Sequence, residues 1–372
     1  MEINDLLKLM VDKGASDLHI TVPSPPVLRI EGELITQEDL PSATNEDIES
    51  IFEQIVTDDQ KLNFNRDLEL DFSYSVPGLA RFRVNVLKQR GSLSLAFRLV
   101  PIRAPSIDEL GLPRICKELI VKPRGLILLT GSAGSGKSTT LAAMINYLNE
   151  TEKRNVITIE DPIEYLFQNK KCVVQQRELG NDTKSFSTAL IHSLRHDPDV
   201  IVIGEMRDQP TIMTAMTAAE TGHLVIGTLH TIDAAQSIDR IIDIFPAAQQ
   251  QQVRLQLSQV LEAVLSQMLL TRTGGGRIAA FEILLATQGI RQLIREGRVF
   301  DIAANLEAGN SEGKQTMYQA LAKLVIENMV SREEAIMKSS DPVKLNDVIK
   351  ELNKALSFST PINEPVVSYS LR

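Results

Sequence analysis

Gly131-Ser-Ala-Gly-Ser-Gly-Lys-Ser138 has the spacing G-x-x-x-x-G-K-S, which suits capture of nucleotide phosphates. Glycines let backbone N–H groups turn toward an anion, and a following helix N-terminus adds partial positive charge. Gly131, Ser132, Ala133, Gly134, Ser135, Gly136, Lys137, Ser138 and Thr139 are therefore the candidate phosphate-binding residues. Lys137 would reach the β and γ phosphates, and Ser138 would hold Mg²⁺. The positioning elements flank the motif. Arg124-Gly-Leu-Ile-Leu-Leu-Thr130 is short and apolar, as a buried parallel strand should be. Thr139 to Leu148 has helical spacing and few breakers.

Three stretches downstream carry further chemistry. Val156-Ile-Thr-Ile-Glu-Asp-Pro-Ile-Glu-Tyr165 is an apolar strand ending in Glu160, Asp161 and Glu164. Carboxylates at the C-terminal edge of such a strand face the crevice where α/β sheets bind ligands, and one can deprotonate an attacking water. A solvated acidic turn at Asp161-Pro162 is the bland alternative. Pro198-Asp-Val-Ile-Val-Ile-Gly-Glu-Met-Arg-Asp208 ends its strand at Gly204-Glu205, where a phosphate-loop protein carries its second acidic element. Glycine in the penultimate position and glutamate in the next leave Glu205 acting on Mg²⁺ directly or through water. Gly222-His-Leu-Val-Ile-Gly-Thr-Leu-His-Thr231 puts His223 and His230 at the two ends of a buried strand, with Thr228, His230 and Thr231 at its C-terminal end. His230 is the candidate sensor of the γ-phosphate.

Composition narrows the class. A chain of 372 residues exceeds one ordinary core. A net charge of -9 argues against nucleic acid as the main partner. No opening stretch reads as a signal peptide, and no run approaches the roughly 18 apolar residues of a spanning helix. The expectation is a cytoplasmic protein without direct membrane insertion. Cys116 and Cys172 form no C-x-x-C pair, which excludes a zinc site of the usual spacing.

In chain order, residues 1–12 outline an amphipathic helix, 16–21 and 27–34 alternate as strands, and 45–64 read as helices with Thr44 or Asn45 as N-cap. Residues 68–76 and 80–100 form a meander with turns at Pro77-Gly78 and Arg90-Gly91. Residues 1–100 are thus a small α+β domain. Residues 101–113, with three prolines and a glycine, read as a linker and hinge. From 124 onward strands at 125–130, 155–160, 171–175, 200–204 and 223–229 alternate with helices at 137–150, 183–196 and 208–221, the signature of a parallel α/β sheet. A hairpin over 264–286 turns at Gly274-Gly-Gly276, and 290–356 is mostly helical. Residues 358–372 read as a tail.

Taken together these motifs resemble the secretion-ATPase superfamily of hexameric motors, over nearly the whole chain. Gly14-Ala-Ser-Asp-Leu-His-Ile20 is similar to the family's opening motif, Gly131–Ser138 to its Walker A, Ile159–Glu164 to its Asp box, Ile201–Glu205 to its Walker B and Gly222–Thr231 to its His box. Gly289-Ile-Arg-Gln-Leu-Ile-Arg-Glu296 is similar to A-I-R-N-L-I-R-E, the motif of the pilus-retraction branch, and departs from it at Gly289 and Gln292. Extension and secretion members usually carry a cysteine-paired zinc element and a longer N-terminal region; neither is read in this sequence, and the expectation is therefore the retraction branch.

The resemblance implies a PAS-like domain over 1–100, a RecA-like ATPase core over 114–288 and a C-terminal helical region over 289–357. It implies a homohexamer that hydrolyses ATP with Mg²⁺ to retract a type IV pilus. An accessory retraction motor, or another ATPase of the superfamily, is the alternative. By the family pattern Glu164 is the catalytic base, Glu205 acts with Mg²⁺, and N-terminal arginines reach the phosphates; Arg81, Arg83 and Arg98 occupy the matching positions. The implied partners are an inner-membrane platform protein of the pilus machine and a second retraction ATPase, with the ring at the cytoplasmic side of that membrane.

Overall fold

The computed structural model describes residues 1–101, 103–308 and 313–359, and the chain divides into two compact units. The first holds Met1–Ala104 and Asn149–Glu205, the second Pro105–Leu148 and Met206–Arg372. Residues 360–372 of the expected tail lie outside the described residues, as does Ile102 of the 101–113 stretch.

In the first unit, six antiparallel strands lie in the order Glu33–Thr36, Val27–Ile30, Asp17–Ile20, Ser92–Val100, Ala80–Gln89, Glu69–Val76. Alternation buries Phe82, Val84 and Val86 on one face of its sheet, in a core with Ile3, Leu7 and Met10 of the helix Ile3–Asp12 and Ile48 and Ile51 of the helix Asn45–Ile55. Thr44 caps that second helix in a reciprocal box with Asp47. The hairpin turns fall at Glu31-Gly32 and Arg90-Gly91, where all four residues have positive φ. The same unit carries three parallel strands in the order Val200–Ile203, Asn155–Glu160, Val173–Glu178, with the helix Phe186–Ser193.

The expected strand at 171–175 is thus displaced to Val173–Glu178. Its sequence, Val-Val-Gln-Gln-Arg-Glu, lacks the apolar run of its neighbours because it pairs at the end of the row, where polar residues are tolerated.

In the second unit the order is Arg277–Leu285, Leu261–Thr271, Gly125–Thr130, Leu224–Leu229. The middle two and Leu224–Leu229 run parallel; Arg277–Leu285 closes an antiparallel hairpin through Gly274, Gly275 and Gly276, all at positive φ. All six residues of Gly125–Thr130 and of Leu224–Leu229 are buried. The helices Lys137–Thr151 and Gln209–Glu220 match the pattern read from sequence; Ala234–Asp243 and Ala247–Val260 add to it. The C-terminal helices Met317–Ile326, Arg332–Lys338 and Pro342–Ser359 pack Leu321, Ala335 and Leu345 against Leu270 and Ala280 of the hairpin. Residues 105–113 form a hydrogen-bonded turn in which Ser106 and Glu109 cap each other and Ile107 and Leu112 are buried.

Candidate functional site

In the second unit the chain leaves the buried strand Gly125–Thr130 and enters the helix Lys137–Thr151 through the glycine loop. Gly131, Gly134 and Gly136 have φ of 144°, 75° and 89°, a region that a side chain resists. Space is also closed. A Cβ at Gly131 would lie 2.3 Å from the Gln267 carbonyl oxygen, and one at Gly136 would lie 2.9 Å from the Gln267 amide nitrogen. Lys137 Nζ donates to the carbonyls of Gly131 at 2.7 Å and Ser132 at 3.0 Å, so the ammonium lies against the loop it would use on a phosphate. Gly131→Ala is expected to force a strained backbone costing about 1–3 kcal/mol. The check is ADP titration, which should show affinity about ten- to a hundredfold weaker.

The loop after Leu224–Leu229 is fixed in the same unit. Met206 N–H donates to Thr228 O at 3.0 Å, and the Met206 side chain packs on Gly227, where a Cβ would lie 2.6 Å from its sulfur. His230 is exposed at the strand's end, and Thr231 Oγ1 and Ser237 Oγ are hydrogen-bonded at 2.6 Å. Asp233 caps the helix Ala234–Asp243, and the Ala234 N–H donates to Glu282 Oε1 at 2.9 Å. Burial pushes the Glu282 carboxyl above the usual range, against the N–H bonds it accepts from Ala234 and Met317. His223 Nδ1 lies 2.9 Å from Ala218 O, in a structural bond with the neighbouring helix end.

The carboxylates read from the Asp box and Walker B stretches lie in the first unit. Gly204 N–H donates to Ile159 O at 2.7 Å, and a Cβ at Gly204 would lie 3.0 Å from that oxygen. Glycine in the penultimate position therefore lets the segment leading to Glu205 lie tight against the strand ending at Glu160. Glu160 accepts from Thr158 Oγ1 at 2.6 Å, from Gln176 Nε2 at 3.0 Å and from the Glu164 N–H. Burial raises its pKa above the ordinary carboxylate value despite those bonds. Asp161 and Glu164 are exposed, and Glu205 is half-buried.

The loop carrying Glu164 is held from both sides. Glu160 takes the Glu164 N–H, and Gln176 accepts the Phe167 N–H at 2.9 Å while donating to Tyr165 O at 2.8 Å. Glu178 Oε2 accepts the Ile163 N–H at 3.0 Å. The result is an exposed carboxylate on a backbone with little freedom, as a positioned general base requires.

Glu178 was not foreseen from sequence. It is 2% exposed and gathers Ile163 N–H, Ser73 Oγ at 2.8 Å, Arg81 Nη2 at 3.0 Å and Asn181 Nδ2. Burial alone would raise its pKa; the Ile163 N–H, the Ser73 hydroxyl and the Arg81 charge outweigh it and hold the carboxyl below the ordinary value. Gln176 and Glu178 stand two apart on a strand, hence on one face, and paired polar residues there are the signal that could have revealed them.

Glu178→Ala is expected to cost about 3 kcal/mol, because the guanidinium and three further donors lose their acceptor. Chemical denaturation measures it. A lowered carboxylate pKa contributes stability above its unfolded value, lost as pH falls through the folded one. Wild type should therefore show an acid-side loss that Glu178→Gln lacks.

Arg81 is thus engaged within its own chain, with its side chain 20% exposed. Arg83 is exposed, 3.8 Å from Asp71, and Arg98 donates from Nε to Asp17 Oδ1 at 2.8 Å with 70% of its side chain in solvent. Arg83 and Arg98 face one another across paired strands.

The motif at 289–296 lies on the helix Gln288–Glu296, with Ile290 and Ile294 buried. Its Arg291 faces inward. It donates to the carbonyls of Ala286, Ser258 and Gln259 and pairs with Glu262 at 2.9 Å, so it ties off the end of the helix Ala247–Val260. Gln292, Arg295 and Glu296 are exposed.

A model of the family described as type II/IV secretion system protein matches residues 2–275. The type IV pilus retraction ATPase PilT of Pseudomonas aeruginosa is 47% identical over 342 residues, covering 92% of this chain and 99% of that protein. The type IV pilus ATPase PilU of the same organism is 40% identical, covering 94% and 92%. A crystal structure of the pilus retraction motor PilT with bound ADP superposes with a TM-score of 0.86 at 46% identity, over 93% of this chain and 99% of that one. The chain belongs to the type II/IV secretion system family and has its α/β ATPase fold. It stands among the family's ATPases.

Proposed function

We propose that this protein is the ATP-hydrolysing motor that retracts a type IV pilus. The likeness to PilT along nearly its whole length carries the reading. The phosphate loop supports the ATPase chemistry. Lys137 binds the β and γ phosphates, His230 senses the γ-phosphate, and Glu164 activates the attacking water. Residues 1–100 form a PAS-like domain whose Arg81 and Arg83 serve a nucleotide in the ring, and 101–113 is the hinge. Arg81 takes part only by sharing or leaving Glu178.

Ser138 and Glu205 suit Mg²⁺. Both are hard oxygen donors, the kind this ion prefers. That fits a cation that leans on phosphate oxygens and water. The ion neutralises phosphate charge when bound.

The assembly is a homohexamer at the cytoplasmic face of the inner membrane, working on a platform protein. Among the described residues no helix is long and apolar enough to cross a membrane. ATP turnover measured against protein concentration, with oligomer mass followed in parallel, tests the ring. Turnover per chain should rise as the hexamer assembles; full turnover by the monomer would refute it. The likeness to PilU favours a second reading, an accessory role beside another retraction ATPase.

A further inference from the structure

The strand Leu261–Thr271 runs parallel to Gly125–Thr130 with Ser266 beside Thr130, and the Thr130 hydroxyl donates to Ser266 Oγ at 2.9 Å. Of the next residues, Gly131 leaves the sheet, while Gln267 stays in its strand opposite Phe281. Gln267 then lies under both ends of the phosphate loop. Its carbonyl oxygen is 2.3 Å from where a Gly131 Cβ would stand, and its amide nitrogen 2.9 Å from where a Gly136 Cβ would stand. One residue thus lies against two glycines of the motif, with its backbone at Gly131 and its side chain at Gly136.

Gln267 and Ser135 are each 4% exposed, and Gln267 Oε1 and Ser135 Oγ are buried without a hydrogen-bond partner. Ser135 Oγ lies 2.6 Å from the Gly131 Cβ position, on the same floor of the loop. A buried polar atom left unmet is costly, and it gains most from a rearrangement that supplies its partner. An orphan hydroxyl donor and an orphan amide acceptor under one loop can satisfy each other.

We propose that Gln267 is a positioning residue of the phosphate loop. Phosphates draw Lys137 off the Gly131 and Ser132 carbonyls, the loop tightens, and the Ser135 hydroxyl donates to Gln267 Oε1. Diphosphate binding is thereby coupled to this pair. The inference rests on the nucleotide-binding reading of the loop.

The test titrates the full-length chain with ADP and Mg²⁺ by calorimetry, for wild type, Gln267→Met, Ser135→Ala and the double variant. Melting without added nucleotide is followed alongside. Each single substitution should weaken ADP by about tenfold, the worth of one hydrogen bond. The double should be no weaker than either single, because the two act through one bond. Melting without nucleotide should not fall. Gln267→Asn, which keeps the amide but withdraws it from the loop, makes the same comparison if the methionine variant does not fold. Wild-type affinity in either single, additive losses in the double, or a lowered melting temperature with unchanged affinity would overturn the proposal. A wild-type chain that does not bind ADP would instead remove the nucleotide reading itself.

Discussion

Lys137→Ala is expected to reduce ATP turnover by about a thousandfold, the cost of removing a preorganised donor from developing transition-state charge. Lys137 is the first residue of the helix after the loop, and its ammonium is within hydrogen-bond distance of two loop carbonyls. The carbonyls keep it over the loop, so the charge meets an incoming phosphate without a search. Alanine is a strong helix former and should leave the fold intact. Turnover should therefore collapse while the melting temperature without nucleotide stays close to wild type. A variant that turns over ATP at more than a tenth of the wild-type rate would separate the loop from the chemistry.

Glu164→Gln is expected to reduce kcat by about a hundred- to ten-thousandfold, the usual contribution of a positioned base. Glutamine keeps the shape and removes the proton acceptor. Because the Glu164 backbone is tied by Glu160 and its neighbour Ile163 by Glu178, the loop should hold its geometry in the variant. ADP affinity should then change little while single-turnover hydrolysis stalls. Glu160→Gln gives the contrast. Glu160 is already pushed toward its protonated form and is used as a hydrogen-bond acceptor, so its loss should loosen the loop more than it removes a base. Equal single-turnover rates for wild type and Glu164→Gln would move the base elsewhere.

The phosphate loop is legible in sequence because its physics is local. Three glycines at positive φ, a buried strand before and a helix after fall within one short stretch. The antiparallel meander is legible for the same reason, since glycine turns and period-two alternation mark each hairpin. What sequence hides is long-range. Glu178 meets Ser73 and Arg81 from about a hundred positions away, and only tertiary structure brings them to it. Gln267 sits in a strand whose register against Gly125–Thr130 sets its place under the loop. Arg291 reads as one more charge on an amphipathic helix, yet its guanidinium closes a different helix. The helix Ala247–Val260 carries no clear apolar period in sequence, because four successive glutamines mask its stripe.

The most direct measurement films labelled pili in the bacterium that makes this protein, with the gene deleted and then restored as wild type or as Lys137→Ala. Pili in the deleted strain should extend and fail to retract, with wild type restoring retraction and Lys137→Ala not restoring it. Retraction at the normal rate without the protein, or restored by Lys137→Ala, would contradict a retraction motor.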